Sequence, residues 1–198
     1  MTEKDLTPKI ARTSVSLAET RGLVRVALWS ALIGVGGWLS LPTPWGVALS
    51  LQTFFIVLCG LLEGPRTGAM AAGLYLLAGL LGLPVFTGGL GGPAILLRPS
   101  AGFAVAFPLL AVVAGLGAHR RQLALKGRYS FAKAMLLGVC GHVVMYIFAF
   151  AGLLLNTSMA PAAAAALVLS FGPGDVAKCA AAASIASARV FGSRVDFK

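Results

Sequence analysis

A chain of 198 residues that is 58% hydrophobic, only 11% charged and has a mean hydropathy of +0.90 carries more apolar surface than one small water-facing domain can bury. An ordinary soluble domain is therefore excluded, and lipid is expected to cover the excess. The net charge of +10 calls for an anionic neighbour, but the basic residues flank apolar runs and form no recognisable nucleic-acid module, so a membrane surface is expected rather than nucleic acid.

Residues 1–22 are polar and carry both charge signs, unlike a signal peptide. They read as a cytoplasmic tail, followed by a membrane domain over residues 23–192 and a second cytoplasmic tail over 193–198. Apolar runs near the length of a membrane crossing predict six spans: Leu23–Leu41, Trp45–Leu62, Thr67–Leu83, Ser100–Ala118, Phe131–Leu155 and Phe171–Phe191. Ala160–Leu169 is too short to cross alone and reads as a loop or helix extension. The fold class expected is an all-α integral membrane protein, a bundle of six transmembrane helices. Cys59, Cys140 and Cys179 sit in apolar stretches without metal-ligand spacing and read as small buried hydrophobes, so neither a metal nor a disulfide framework is expected.

Lysine and arginine set the orientation. Lys4, Lys9, Arg12, Arg21 and Arg25 surround the start of span one, and Arg66 follows span two. Arg120, Arg121, Lys126, Arg128 and Lys133 fill the span four–five connection, and Arg189, Arg194 and Lys198 end the chain. All of these fall on one side of the predicted membrane; Arg98 alone falls on the other, and Lys178 lies within a span. Both termini are therefore placed in the cytoplasm of a multi-pass protein of the cell membrane.

Ionisable groups inside a span cost roughly 2.5–3.5 kcal/mol each on insertion scales, so they need a reason to be there. Asp175 and Lys178 stand out in Gly172-Pro173-Gly174-Asp175-Val176-Ala177-Lys178. Spacing of three puts them on one helix face, as a structural ion pair or as polar anchors in an outward-facing cavity. Gln52, Thr53 and Tyr75 interrupt spans two and three, either to line a pocket or to bond between helices. The Gly88-Gly89 loop suits close approach to a ligand or helix, or simply a connector. His142 reads as an interhelical hydrogen-bond donor, Glu63 and Arg66 as a pair across a turn, and Trp29, Trp38 and Trp45 as interfacial anchors. In span one, Ala27 and Ala31 make one small-xxx-small pair and Ser30 and Gly34 a second, each permitting close helix approach. No enzyme motif and no ATP-binding loop is present.

Four segments taken together, Leu51-Gln52-Thr53-Phe54-Phe55, Leu61 to Ala69, Leu80 to Gly89 and Pro173 to Lys178, resemble the BioY family, the biotin-specific substrate-binding (S) subunits of energy-coupling factor (ECF) transporters. The resemblance implies biotin uptake without enzymatic activity or a cofactor of its own. It implies partnership with an ECF transmembrane coupling protein, met through Ala27 and Ala31, and with two cytoplasmic ATPase subunits. It also implies that Asp175, Lys178, Gly88, Gly89, Phe86, Tyr75, Gln52 and Thr53 bind the vitamin. Two departures stand out: Thr87 replaces a frequent alanine, and Arg98 replaces a glycine. Other readings of the bare sequence are an S subunit for another vitamin, a small membrane enzyme of lipid metabolism and a multidrug-type antiporter.

Overall fold

The computed structural model describes residues 17–44, 47–117 and 130–188. The N-terminal residues 1–16, Trp45, the basic connection 118–129 and the C-terminal tail lie outside the described residues. Within them the chain is mostly helical.

Helix α1 spans Leu17–Trp38 and so begins six residues before the expected span. The next segment departs from expectation. Pro42 and Pro44 cannot donate to a helical ladder, and the chain folds back as a short hairpin, β1 (Ser40–Leu41) against β2 (Leu49–Ser50), with Ser40 opposite Ser50 and Leu41 opposite Leu49. Span two therefore contributes only a 12-residue helix, α2 (Gln52–Glu63). Gly64 turns the chain, and Pro65, whose missing N–H costs nothing in a first turn, opens α3 (Pro65–Leu80). A 3-10 helix, Pro93–Leu97, leads into α4 (Ala101–Gly115). Helix α5 (Phe131–Asn156) has 26 residues. The Ala-rich stretch is a helix in its own right, α6 (Pro161–Ser170), again started by proline, and α7 (Gly172–Ser187) follows.

Among the described residues α5 is the one helix both long and apolar enough to cross a bilayer alone; α2 and α4 are apolar but shorter. Many large apolar side chains point outward, including Leu28 and Val35 on α1, Leu77 on α3 and Leu136, Val143 and Ile147 on α5.

Small residues bring the helices into contact. A Cβ at Gly152 of α5 would stand 2.7 Å from the Gly102 nitrogen of α4, and one at Gly60 of α2 would stand 2.6 Å from the Ala111 carbonyl oxygen. Backbones this close gain dispersion contacts that larger side chains would forbid, which is how helices associate where lipid offers no hydrophobic drive. On α1 the two small-residue pairs divide: Ser30 and Gly34 face inward, Gly34 toward Val85 and Tyr75, whereas Ala27 and Ala31 are exposed. Glu63 pairs with Arg25, at 3.5 Å, rather than with Arg66, and also accepts from Trp29 Nε1; the helix-crossing partner holds it because α1 runs beside α2 there. Cys59 and Cys179 are buried, but Cys140 is exposed, on the side of α5 opposite the buried Gly138 and His142.

Candidate binding site

A cavity of about 400 Å³ opens among the hairpin, α2, α3, α4 and α7. Its polar end is built at the start of α7. Pro173 and Asp175 both fall in the first turn of that helix, where the unpaired N–H groups favour a negative charge. One turn on, Lys178 Nζ donates to Asp175 Oδ1 at 2.9 Å. Thr53, in the first turn of α2, donates to the same oxygen at 3.2 Å and accepts from Lys178 Nζ at 3.3 Å. Tyr146 of α5 donates to Asp175 Oδ2 at 2.7 Å. Asp175 is only 4% exposed. A carboxylate at that depth needs both a counter-charge and donors, and here three donors meet it. Two ionised oxygens offer about four acceptor positions and an ammonium offers three N–H groups. By that count the pair keeps one acceptor position, on Asp175 Oδ2, and one Lys178 N–H beyond these bonds.

Tyr146 was not anticipated from sequence, since an aromatic residue in an apolar span gives no sign of where its hydroxyl points. His142 joins two helices as expected and also bonds within its own: Nδ1 meets the Gly138 carbonyl one turn back at 2.9 Å and lies 3.4 Å from Cys179 Sγ on α7. Its Nε2 faces Asp175 Oδ1 at 3.7 Å, too far for a hydrogen bond, and has no hydrogen-bond partner among the described residues.

Gln52 is occupied by the protein. Its Oε1 accepts from Ser50 Oγ at 3.0 Å and from Thr87 Oγ1 at 3.2 Å, while Nε2 donates to Tyr75 Oη. One side chain thus ties the hairpin, α2, α3 and the loop after α3. It reaches them because Gly37 of α1 leaves room: a Cβ there would lie 2.8 Å from Gln52 Nε2. The buried Tyr75 ring stands edge-on to Phe86, with centroids 5.5 Å apart, and lies 6.2 Å from Phe107. Phe86 seats in the notch left by Gly79. Its carbonyl accepts from the Gly89 N–H at 3.0 Å, closing a turn in which Gly88 and Gly89 have φ of 77° and 72°. Two successive left-handed residues favour glycine strongly, since a side chain there costs about 1–2 kcal/mol.

Of the residues singled out from sequence, Gln52, Thr53, Tyr75, Phe86, Gly88, Asp175 and Lys178 line this one cavity. Gly89 supports the turn without lining it, and Ala27 and Ala31 lie on the outside of α1. Residues not singled out for the site complete the wall: Phe103 and Phe171, packed edge to face at 5.6 Å, with Met145 and Phe107. Arg98 and Ser100 also line the cavity, through the segment between the 3-10 helix and α4. The chamber is therefore apolar and aromatic, with a carboxylate–ammonium pair on α7 and the exposed Arg98 on its wall.

The sequence model of the BioY family matches residues 7–192. The chain belongs to the BioY family. Among its relatives, the biotin transporter BioY of Rhizobium etli is 36% identical over 180 residues, covering 87% of this chain and 95% of that protein. The biotin transporter BioY of Thermotoga maritima is 36% identical over 126 residues, 64% of this chain and 70% of that one. The probable biotin transporter BioY of Pyrococcus horikoshii is 44% identical over 95 residues, 46% of this chain and 56% of that one. The fold matches a crystal structure of the S-component for biotin from an ECF-type ABC transporter with a TM-score of 0.76 and 26% identity, over 86% of this chain and 90% of that one. The relatives carry the name of biotin transporters, and the solved neighbour with the same fold is a transporter S-component.

Proposed function

We propose that the chain is a biotin-capturing membrane subunit that delivers the vitamin to an ECF-type coupling module. The observation that carries this reading is the buried Asp175–Lys178 pair at one end of an aromatic cavity of about 400 Å³. Biotin is an apolar bicycle with a ureido group at one end and a carboxylate on a flexible chain at the other. The ureido group offers N–H donors beside a carbonyl acceptor, which complements the free acceptor position of Asp175 and the free donor of Lys178. Phe103, Phe107 and Phe171 suit the ring system. Arg98 suits the carboxylate, as the sole basic residue in the outer connections and a cavity-lining one.

In this reading the chain crosses the membrane six times with both termini in the cytoplasm. The shorter helices complete their crossings with adjoining apolar backbone such as the hairpin, which is tolerated at membrane depth where it lines a cavity. The cavity then faces outward, and the Phe86–Leu90 turn forms part of its cover. Gln52 fastens that cover through Thr87 rather than gripping the ligand. Thr87→Ala removes one hydrogen bond of about 0.5–1.5 kcal/mol. Biotin dissociation, followed by chasing bound radiolabel with excess cold vitamin, is expected to speed up about three- to tenfold. An unchanged rate would remove Thr87 from the cover.

The chain carries no ATP-binding motif, and in this reading energy for inward release comes from partner subunits. The exposed Ala27 and Ala31, flanked by exposed Val24, Leu28 and Val35, present a smooth strip of α1 on which another helix can seat closely. The test separates capture from uptake. Cells holding a complete coupling module are expected to accumulate biotin through this chain. The double variant Ala27→Trp, Ala31→Trp is expected to bind biotin within about threefold of the parent yet lose at least ~90% of uptake, a tenfold effect equivalent to ~1.4 kcal/mol of docking. Full uptake by that variant would assign the coupling surface elsewhere.

A further inference from the structure

The guanidinium of Arg98 sits on a short segment with little regular structure to hold it, yet its backbone is fixed from three directions. Its N–H donates to the Ile95 carbonyl at 3.1 Å, closing the 3-10 helix. Its own carbonyl accepts from the Ala101 N–H at 3.0 Å, which joins it to α4. The third tie comes from a distant part of the chain. Asn156, the last residue of α5, donates through Nδ2 to the Leu96 carbonyl at 2.8 Å and to the Arg98 carbonyl at 3.0 Å. One amide nitrogen thus uses both of its hydrogens on the two carbonyls that bracket the arginine's approach. The following Pro99 restricts Arg98 to an extended backbone, observed at φ −87° and ψ 158°. Asn156 is itself held in place, since the Thr157 hydroxyl and N–H both return to the Leu153 carbonyl and close the end of α5.

We infer that Asn156 is a positioning residue for anion recognition: it docks the Arg98 segment onto α5 and so aims the guanidinium at the carboxylate of the bound vitamin. The inference rests on the biotin reading given above and on Arg98 as the carboxylate partner. Asn156 touches no ligand in this account. It is absent from the cavity wall, and its effect passes through the backbone of Leu96 and Arg98. A guanidinium recognises a carboxylate by matched, directional donors, so a loosened backbone weakens that contact selectively. The apolar and ureido contacts, carried by α2, α4 and α7, are left in place.

Selectivity therefore reports the role. Dissociation constants for biotin and for biotin amide, whose side chain ends without charge, are measured on the purified full chain, its Asn156→Leu, Arg98→Ala and doubly substituted variants. The parent is expected to prefer biotin at least tenfold. Arg98→Ala brings the ratio close to one, Asn156→Leu lowers it at least threefold while changing affinity for the amide less than twofold, and the double variant matches Arg98→Ala. Should Asn156→Leu unfold, Asn156→Ser, which also lacks the two-hydrogen amide, takes its place. Equal loss of both ligands in the Asn156 variant would make the residue merely structural and overturn the inference, as would a ratio that Arg98→Ala leaves intact. A parent that binds neither compound would instead overturn the biotin assignment itself, so the two failures are distinguishable.

Discussion

Asp175→Leu is expected to destabilise the folded chain by about 3–5 kcal/mol, the typical cost of leaving one member of a buried pair uncompensated. Lys178 would keep its charge beside Thr53 with no carboxylate to meet it, and Tyr146 would lose its acceptor. The double variant Asp175→Leu, Lys178→Met removes both charges and is expected to recover most of that loss. Neither variant should bind biotin. The milder Asp175→Asn, which keeps the shape, should still weaken binding at least tenfold, or about 1.4 kcal/mol. Thermal unfolding of detergent-purified protein checks the first part and ligand titration the second. A single variant as stable as the parent would show that the pair does not carry the local electrostatics, and a double variant that still bound tightly would remove it from the site.

The second large effect is expected at the crossing of α4 and α5. Gly102→Leu should cost about 3 kcal/mol, the upper end of usual overpacking penalties. A Cβ at Gly102 would overlap the Phe148 carbonyl and lie 2.9 Å from the Ala149 Cα. Helix backbone cannot swing aside as a side-chain tip can, so the helices must separate and lose contact along their shared face. Gly73→Ala is the control. A Cβ at Gly73 meets nothing within 4 Å, and alanine is the better helix former by up to about 1 kcal/mol, so stability should hold or rise. Unfolding midpoints of the two variants that moved together would contradict this account of the crossing.

How far the molecule could be read from its residues depended on which physical signal each feature carries. Charge inside an apolar run is costly, so Asp175 and Lys178 announced themselves, as did the polar breaks at Gln52 and Thr53. Proline at a helix start is equally plain, and Pro65 and Pro173 open helices close to the expected places. The hairpin was hidden because hydropathy does not distinguish an apolar strand from an apolar helix; only the density of Pro42, Pro44 and Gly46 hinted that span two could not begin at Trp45. The Ala-rich α6 was legible as apolar but not as a separate helix. Roles within the site were less visible still. Gln52 read equally as a pocket residue or an interhelical tie, and it is both: it lines the cavity while its carbonyl oxygen serves two hydroxyls. Tyr146 and Asn156 lie on the same long helix, and nothing in α5's composition tells which carboxylate or carbonyl each will meet.

The most direct test of the central claim is calorimetric titration of biotin into the purified, membrane-reconstituted chain alone, with no coupling protein or ATPase present. The account predicts saturable heat with one site per chain, lost in Asp175→Asn at the same protein concentration. A folded preparation that gave no heat, or an Asp175→Asn variant that titrated like the parent, would contradict it.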